Sequence, residues 1–274
     1  MSGYRRRTMM SINKKSPQED TPVEDGLIFW LDGKDVNSSS SYWSCSTLVN
    51  SLIQNFRLKY SSTNTVKNQG KCMTITGNGK NAGASEQIGY GNQNDGRLQP
   101  NIFSTLGYGY KHNFSFDVFF NVTSLPSSSI SEHRIVGGTW IWGDDFNYRY
   151  TLVCTGDKRI MFEQYIDSTW CRAYFDTSIT LGYHHIVVNV DCTNNKLTAF
   201  LDGNVSCTAS ASYGCPNGRY GNAIGLARYV GLLNTDSDDA SLIGNFYSLT
   251  YYNRILTAAE VRQNYEFYKN RYIE

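Results

Sequence analysis

The sequence predicts an all-β sandwich or barrel that ends in one helix and begins with an arm. Three observations predict it. Leu181–Gly203 reads as a β-hairpin whose two runs alternate apolar and polar residues. Similar short runs recur from Phe114 to Tyr252, separated by Gly, Asn and Ser turns. A capped, periodic segment then starts at Thr257 and carries aromatic residues at helical spacing.

In the hairpin, Tyr183–Val190 and Lys196–Asp202 flank a polar turn at Asp191–Asn195. Ile186, Val188 and Val190 share one face, with Tyr183, His185 and Asn189 on the other. Leu197, Ala199 and Leu201 share a face, opposite Lys196, Thr198 and Asp202. Such alternation fits strands with one buried face. Adjacent His184 and His185 therefore fall on opposite faces, one in the core and one at the surface, as packing residues. Asn-rich turns tolerate left-handed backbone, and Asp202-Gly203 marks the next turn.

Taken in order, residues 1–24 stand apart. Arg5, Arg6, Arg7, Lys14 and Lys15 come first, then Glu19, Asp20 and Glu24, with few large apolar residues. A disordered arm fits this composition, and so does a segment that orders against a partner with its basic half on an acidic surface. Residues 25–274 form the domain. Leu27–Leu31 reads as its first strand. Weak strand signals follow at Trp43, Leu52–Leu58, Met73–Ile75 and Ile102–Leu106, with Gly, Asn and Gln dominating from Gly77 to Gly109. Strands are then expected at Phe114–Val122, Arg134–Gly138, Tyr148–Cys154, Arg159–Tyr165, Trp170–Phe175, the hairpin, Ala223–Tyr229 and Gly244–Tyr252. In the helix, Thr257 and Glu260 make a capping box. Val261, Tyr265, Tyr268 and Tyr272 form a stripe that packs it on the sandwich.

Composition narrows the function classes. The 274 residues carry a net charge of +1, and 18% are charged. This balance gives no field for nucleic acid and none for a membrane surface. No apolar run is long enough to span a bilayer, and no apolar segment follows the basic Tyr4–Arg7, so synthesis in a cytoplasm without export is expected. Seven cysteines without CxxC spacing fit free thiols, although Cys154–Cys171 or Cys207–Cys215 could pair.

The hairpin YHHIVVNVDCTNNKLTAFLDG and the ending FYSLTYYNRILTAAEVRQNYEFYKNRY, behind an opening GLIFWLDG, carry a resemblance. Together they resemble the concanavalin A-like lectin/glucanase superfamily, in its laminin-G-like branch. Tyr183, His184, His185, Asp191 and Leu201–Gly203 match the hairpin pattern, and Tyr252–Tyr265 the ending. The resemblance implies a two-sheet antiparallel jelly-roll. The Tyr-Asn-Arg and Ala-Ala-Glu ending is similar to domains on tailed-phage virion proteins. It implies a non-enzymatic virion structural protein, an accessory capsid, head-fibre or tail component. Such a protein is assembled in the host cytoplasm, oligomeric within a particle, and docked on other virion proteins through residues 1–24.

Several residues could carry chemistry. Trp140 and Trp142, beside Asp144 and Asp145, are the best ligand contacts, because indole faces stack on sugars or on apolar partners. Burial at a sandwich edge fits those tryptophans equally. A carbohydrate-binding lectin that touches host glycans would use them together with the acidic loops. Asp236, Asp238 and Asp239 cluster as hard oxygen donors suited to Ca²⁺, and solvated turn carboxylates fit the same pattern. No cofactor is otherwise expected. Glycoside hydrolysis would need two carboxyls about 5–5.5 Å apart. The nearest pair, Glu163 and Asp167, is separated by about 13 Å of strand. No catalytic residue is therefore assigned.

Overall fold

A computed structural model gives the fold. The structure describes residues 21–45, 47–48, 57–62, 64–77, 82–85, 111–127, 132–140, 148–166, 169–214, 222–226 and 239–274. The strands in chain order are β1 (Leu27–Asp32), β2 (Tyr42–Ser44), β3 (Thr47–Leu48), β4 (Arg57–Tyr60), β5 (Thr65–Asn68) and β6 (Cys72–Ile75). Next come β7 (Ala84–Ser85), β8 (Phe114–Val122), β9 (Glu132–Trp140), β10 (Tyr148–Thr155), β11 (Arg159–Ile166) and β12 (Thr169–Ser178). The last are β13 (Gly182–Asp191), β14 (Lys196–Leu201), β15 (Asn204–Ser210), β16 (Asn222–Leu226), β17 (Asp239–Ser241) and β18 (Gly244–Tyr252). Helix α1 spans Ala258–Tyr272.

Among the described residues these strands make two nine-stranded sheets. Sheet A runs β15-β14-β13-β8-β18-β1-β3, with β6 and β5 joined to one end of β18. Sheet B runs β12-β11-β10-β9-β16-β7-β4-β2. The expected all-β antiparallel sandwich is what forms. One pair departs from it: β17 lies parallel to β9. The sheets face each other across one apolar core. Phe116, Val118, Ile186, Val188 and Tyr251 come from sheet A, and Val136, Tyr150, Leu152 and Phe162 from sheet B. The Tyr150 and Tyr251 hydroxyls meet at 2.5 Å and satisfy each other inside it.

The hairpin β13–β14 forms in the expected register, with Ile186 opposite Leu201 and Val190 opposite Leu197. Its turn closes on Asn195 in the left-handed region, at φ 53°. Its burial differs from the alternation. Both faces of β13 are buried from His184 to Val190. The even-numbered side faces sheet B, while Val187 packs with helix α1. Both histidines are therefore inside, contrary to the one-in, one-out expectation. Asp202, in the following turn, holds both: its Oδ1 accepts from the His185 N–H at 2.8 Å, and its Oδ2 lies 3.2 Å from His184 Nδ1.

The cause is α1. The capping box forms as read: Glu260 N–H donates to Thr257 Oγ1 at 3.3 Å, and Thr257 N–H to Glu260 Oε2 at 2.8 Å. Beyond the expected stripe, Asn264 and Phe267 are also buried. The helix covers the outer face of sheet A, packing on Trp30, Phe119, Val187 and Tyr252. Polar residues that alternation assigns to solvent are buried there and must be paired. Asp117 accepts from Asn264 Nδ2 at 2.8 Å and from the Tyr268 hydroxyl at 3.1 Å, with His185 Nε2 at 3.8 Å. Asn189 Nδ2 donates to the Leu256 carbonyl at 2.7 Å.

Of the segment read as an arm, residues 1–20, and with them Arg5, Arg6, Arg7, Lys14 and Lys15, lie outside the described residues. Residues 21–24 are folded on the domain. Val23 is buried in the helix cluster, and its N–H donates to Asn264 Oδ1 at 2.8 Å. The strand expected at Ile102–Leu106 also lies outside the described residues. Cys154, Cys171 and Cys207 are free thiols, so neither suggested disulfide forms. Burial pushes Cys154 and Cys192 up to about 12, which keeps them protonated and inert at neutral pH.

Candidate functional site

Sheet B leaves one broad face turned away from the core. Strand β12 fixes its character by strict alternation. Cys171, Ala173 and Phe175 point inward and are buried, while Trp170, Arg172 and Tyr174 point outward and are exposed. Backbone pairing extends that face in rows. Glu163 lies opposite Arg172 and Thr151, and Tyr165 opposite Trp170. Gly137 follows Thr151, then Gly225, Ser85, Lys59 and Tyr42. Gly225 and Gly137 sit side by side in mid-row. Neither adds a Cβ to the row, and Gly137 is buried.

The aromatic edge is organised by cations. The Trp170 ring lies 4.9 Å from that of Tyr165 at 53°, and Arg172 sits 5.1 Å over the indole. Arg172 Nε also donates to Glu163 Oε2 at 3.0 Å. Glu163 is almost fully buried, so this contact balances a charge withdrawn from water. One row over, Arg159 sits 4.6 Å from the Tyr174 ring centroid. Nearer the sheet centre, Arg134 Nη1 donates to Thr151 Oγ1 at 2.7 Å and Nη2 pairs with Glu132 at 2.8 Å. The face thus combines half-exposed rings, Trp170 at 38% and Tyr174 at 42%, with charged groups held in fixed positions. Cation–π contact and the ion pair both restrain Arg172, so its remaining N–H groups are oriented in advance.

The residues singled out from sequence are only partly placed. Trp142, Asp144 and Asp145 lie outside the described residues, as do Asp236 and Asp238. The backbone of Trp140 ends β9 opposite Asn222. The backbone of Asp239 begins β17 opposite Glu132, at the other end of β9. Trp140 and Asp239 are therefore about 26 Å apart along the strand. Trp140 and Tyr148, the facing ends of β9 and β10, lie at the same end of sheet B as Ile166 and Thr169 beside Trp170. Among the described residues no group of three or more His, Cys, Asp or Glu is placed to hold a metal ion.

Sequence reasoning placed the strand Trp170–Phe175 and passed over its outward side chains. The signal was present: large aromatic and charged residues at every second position, with Cys, Ala and Phe between them. What it lacked was the pairing of Glu163 with Arg172, which follows from register.

No protein-family model matches the chain, and no curated protein matches it. Solved structures do. Domain 4 of AbnA, a GH43 extracellular arabinanase from Geobacillus stearothermophilus in complex with arabinotriose, is similar at 16% identity and a TM-score of 0.55, covering 88% of this chain and 99% of that one. Trypanosoma rangeli sialidase, in its covalent complex with 2,3-difluorosialic acid, is similar at 13% identity and a TM-score of 0.55, covering 88% of this chain. This chain spans about a third of the sialidase, 33% of its length. At these identities the likeness shows the fold, a β-sandwich that also occurs in carbohydrate-processing proteins.

Proposed function

We propose that the protein is a non-enzymatic carbohydrate-binding module whose site is the outer face of sheet B. The observation that carries this reading is the Tyr165–Trp170–Arg172 group on the exposed side of β12, with Glu163 buried behind Arg172. A sugar ring has one face of C–H groups and an edge of hydroxyls. The first packs on an indole, and the second accepts charge-assisted hydrogen bonds from a guanidinium that Glu163 holds in place. Glu163 is engaged by Arg172 and serves binding. The similarity to a domain crystallised with arabinotriose supports the same reading. Binding of wild-type protein to a glycan array, weakened at least tenfold by Trp170→Ala with an unchanged melting temperature, is the expected result. Equal binding by wild type and Trp170→Ala would remove this face from the reading.

The sequence resemblance adds a setting, a tailed-phage particle on which other virion proteins hold residues 1–24 and the module meets host glycans. Copurification of the protein with particles supports that setting.

A further inference from the structure

Helix α1 does not cover all of sheet A. It ends at Tyr272, whose ring borders Phe119 at 5.7 Å and Tyr247 at 5.2 Å. Beyond that boundary the outer face continues as a row in register over five strands. Tyr183 of β13 lies opposite Asn121 of β8, which lies opposite Asn245 of β18, then Thr74 of β6 and Val66 of β5. At the usual strand spacing the row is about 19 Å long. None of these side chains carries a charge.

The row has an ordered and an open part. Asn68 Nδ2 donates to Thr74 Oγ1 at 2.5 Å, and Thr74 Oγ1 to Asn245 Oδ1 at 2.7 Å, which fixes the Asn245 amide. Tyr183, 37% exposed, stacks on Phe119 at 6.0 Å and lies 5.8 Å from the Tyr247 ring. Between these fixed groups stands Asn121, half-buried, whose carboxamide makes no side-chain hydrogen bond among the described residues. Between Asn121 and Thr74 each strand beneath is paired on both sides, so a peptide strand cannot add within the row.

We infer that this row is a second binding site, for a neutral oligosaccharide, with Tyr183 as the stacking ring and the Asn121 carboxamide as the specificity group. A carboxamide offers a donor and an acceptor side by side, which matches two adjacent hydroxyls, each of them both donor and acceptor. The missing charge sets the ligand class. An anionic or cationic partner would gain nothing here, whereas the sheet B face carries several fixed charges. The site lies on the opposite sheet from the proposed module face and is separate from it.

The test is an NMR titration of ¹⁵N-labelled full-length protein with cellohexaose, maltohexaose and arabinohexaose. Saturable shifts of the Asn121 and Asn245 side-chain amides with at least one of the three are expected. Tyr183→Ala should weaken that binding at least fivefold, and Trp170→Ala should leave it unchanged. Absence of saturable shifts at both amides, or their loss in Trp170→Ala, overturns the inference. The Trp170 indole resonance in the same spectra reports the sheet B face independently, so either site can fail alone.

Discussion

Glu260 concentrates four hydrogen bonds on one carboxylate, two from Arg254 and two from Thr257. It accepts from Arg254 Nη2 at 2.6 Å and from the Thr257 backbone at 2.8 Å, and it closes the N-terminus of α1. The Arg254 hydrogen bond, with the Thr257 contacts, holds its carboxyl down at about 2. A carboxyl whose folded value is depressed adds stability that is fully present above its unfolded value, near 4.3, and is lost as pH falls toward 2. Glu260→Gln can still cap but cannot pair with Arg254. Wild type should exceed it at pH 7 by roughly 1–2 kcal/mol, discounted because a quarter of each side chain reaches water. Urea midpoints at pH 7, 4 and 2.5 should converge with acid, and a gap that stays constant with pH would contradict the assignment. The capping box was legible because it is local, fixed by residue types three apart. The Arg254 pairing and the burial of His185 beside Asp117 were not. They depend on where a helix lands, which spacing does not encode.

At the scale of elements, β8 shows how a correct strand can be read with the wrong environment. Its limits, Phe114–Val122, match the expectation to the residue. Its second side, Ser115, Asp117 and Phe119, is mostly polar in type, and α1 covers it. Phe119 is the hinge of that contact, lying 5.8 Å from the Tyr268 ring and 5.7 Å from that of Tyr272. Phe119→Ala should cost about 3–5 kcal/mol through the cavity and the lost transfer energy. It should also speed hydrogen exchange in α1 more than in sheet B. Uniform acceleration across both sheets would show that the helix is not a separable layer. On the other sheet, β12 alternates cleanly, with Trp170, Arg172 and Tyr174 exposed and no helix over them among the described residues. The sandwich was therefore legible from period two, whereas the third layer was legible only as a helix without a place.

For the whole molecule, the boundary between arm and domain decides what can be removed. The domain holds residues 21–24 through Val23, buried and bonded to Asn264, and through Asp25, which pairs with Arg254 at 2.9 Å. Deleting residues 1–20 should leave the unfolding free energy unchanged. Deleting 1–24 should cost roughly 2–4 kcal/mol, from one buried valine and one orphaned amide partner. Equal stability of the two truncations would remove Val23 from the fold. Composition counted Thr21–Glu24 with the arm, and the structure packs Val23 on the domain. Thr21–Glu24 is polar in type, and its one apolar residue becomes structural only by meeting a buried asparagine some 240 positions away.

That contact also sets a direction of load. Tension drawn along the chain from residue 20 reaches Asn264 of α1 and Arg254 first, and then β1, which is gripped between β18 and β3. Strand β1 must then be sheared along its hydrogen bonds, with no free edge from which to peel. Under the proposed anchoring through residues 1–24, the body would hang by its helix-bearing side, and the outer face of sheet B would be turned away from the anchor.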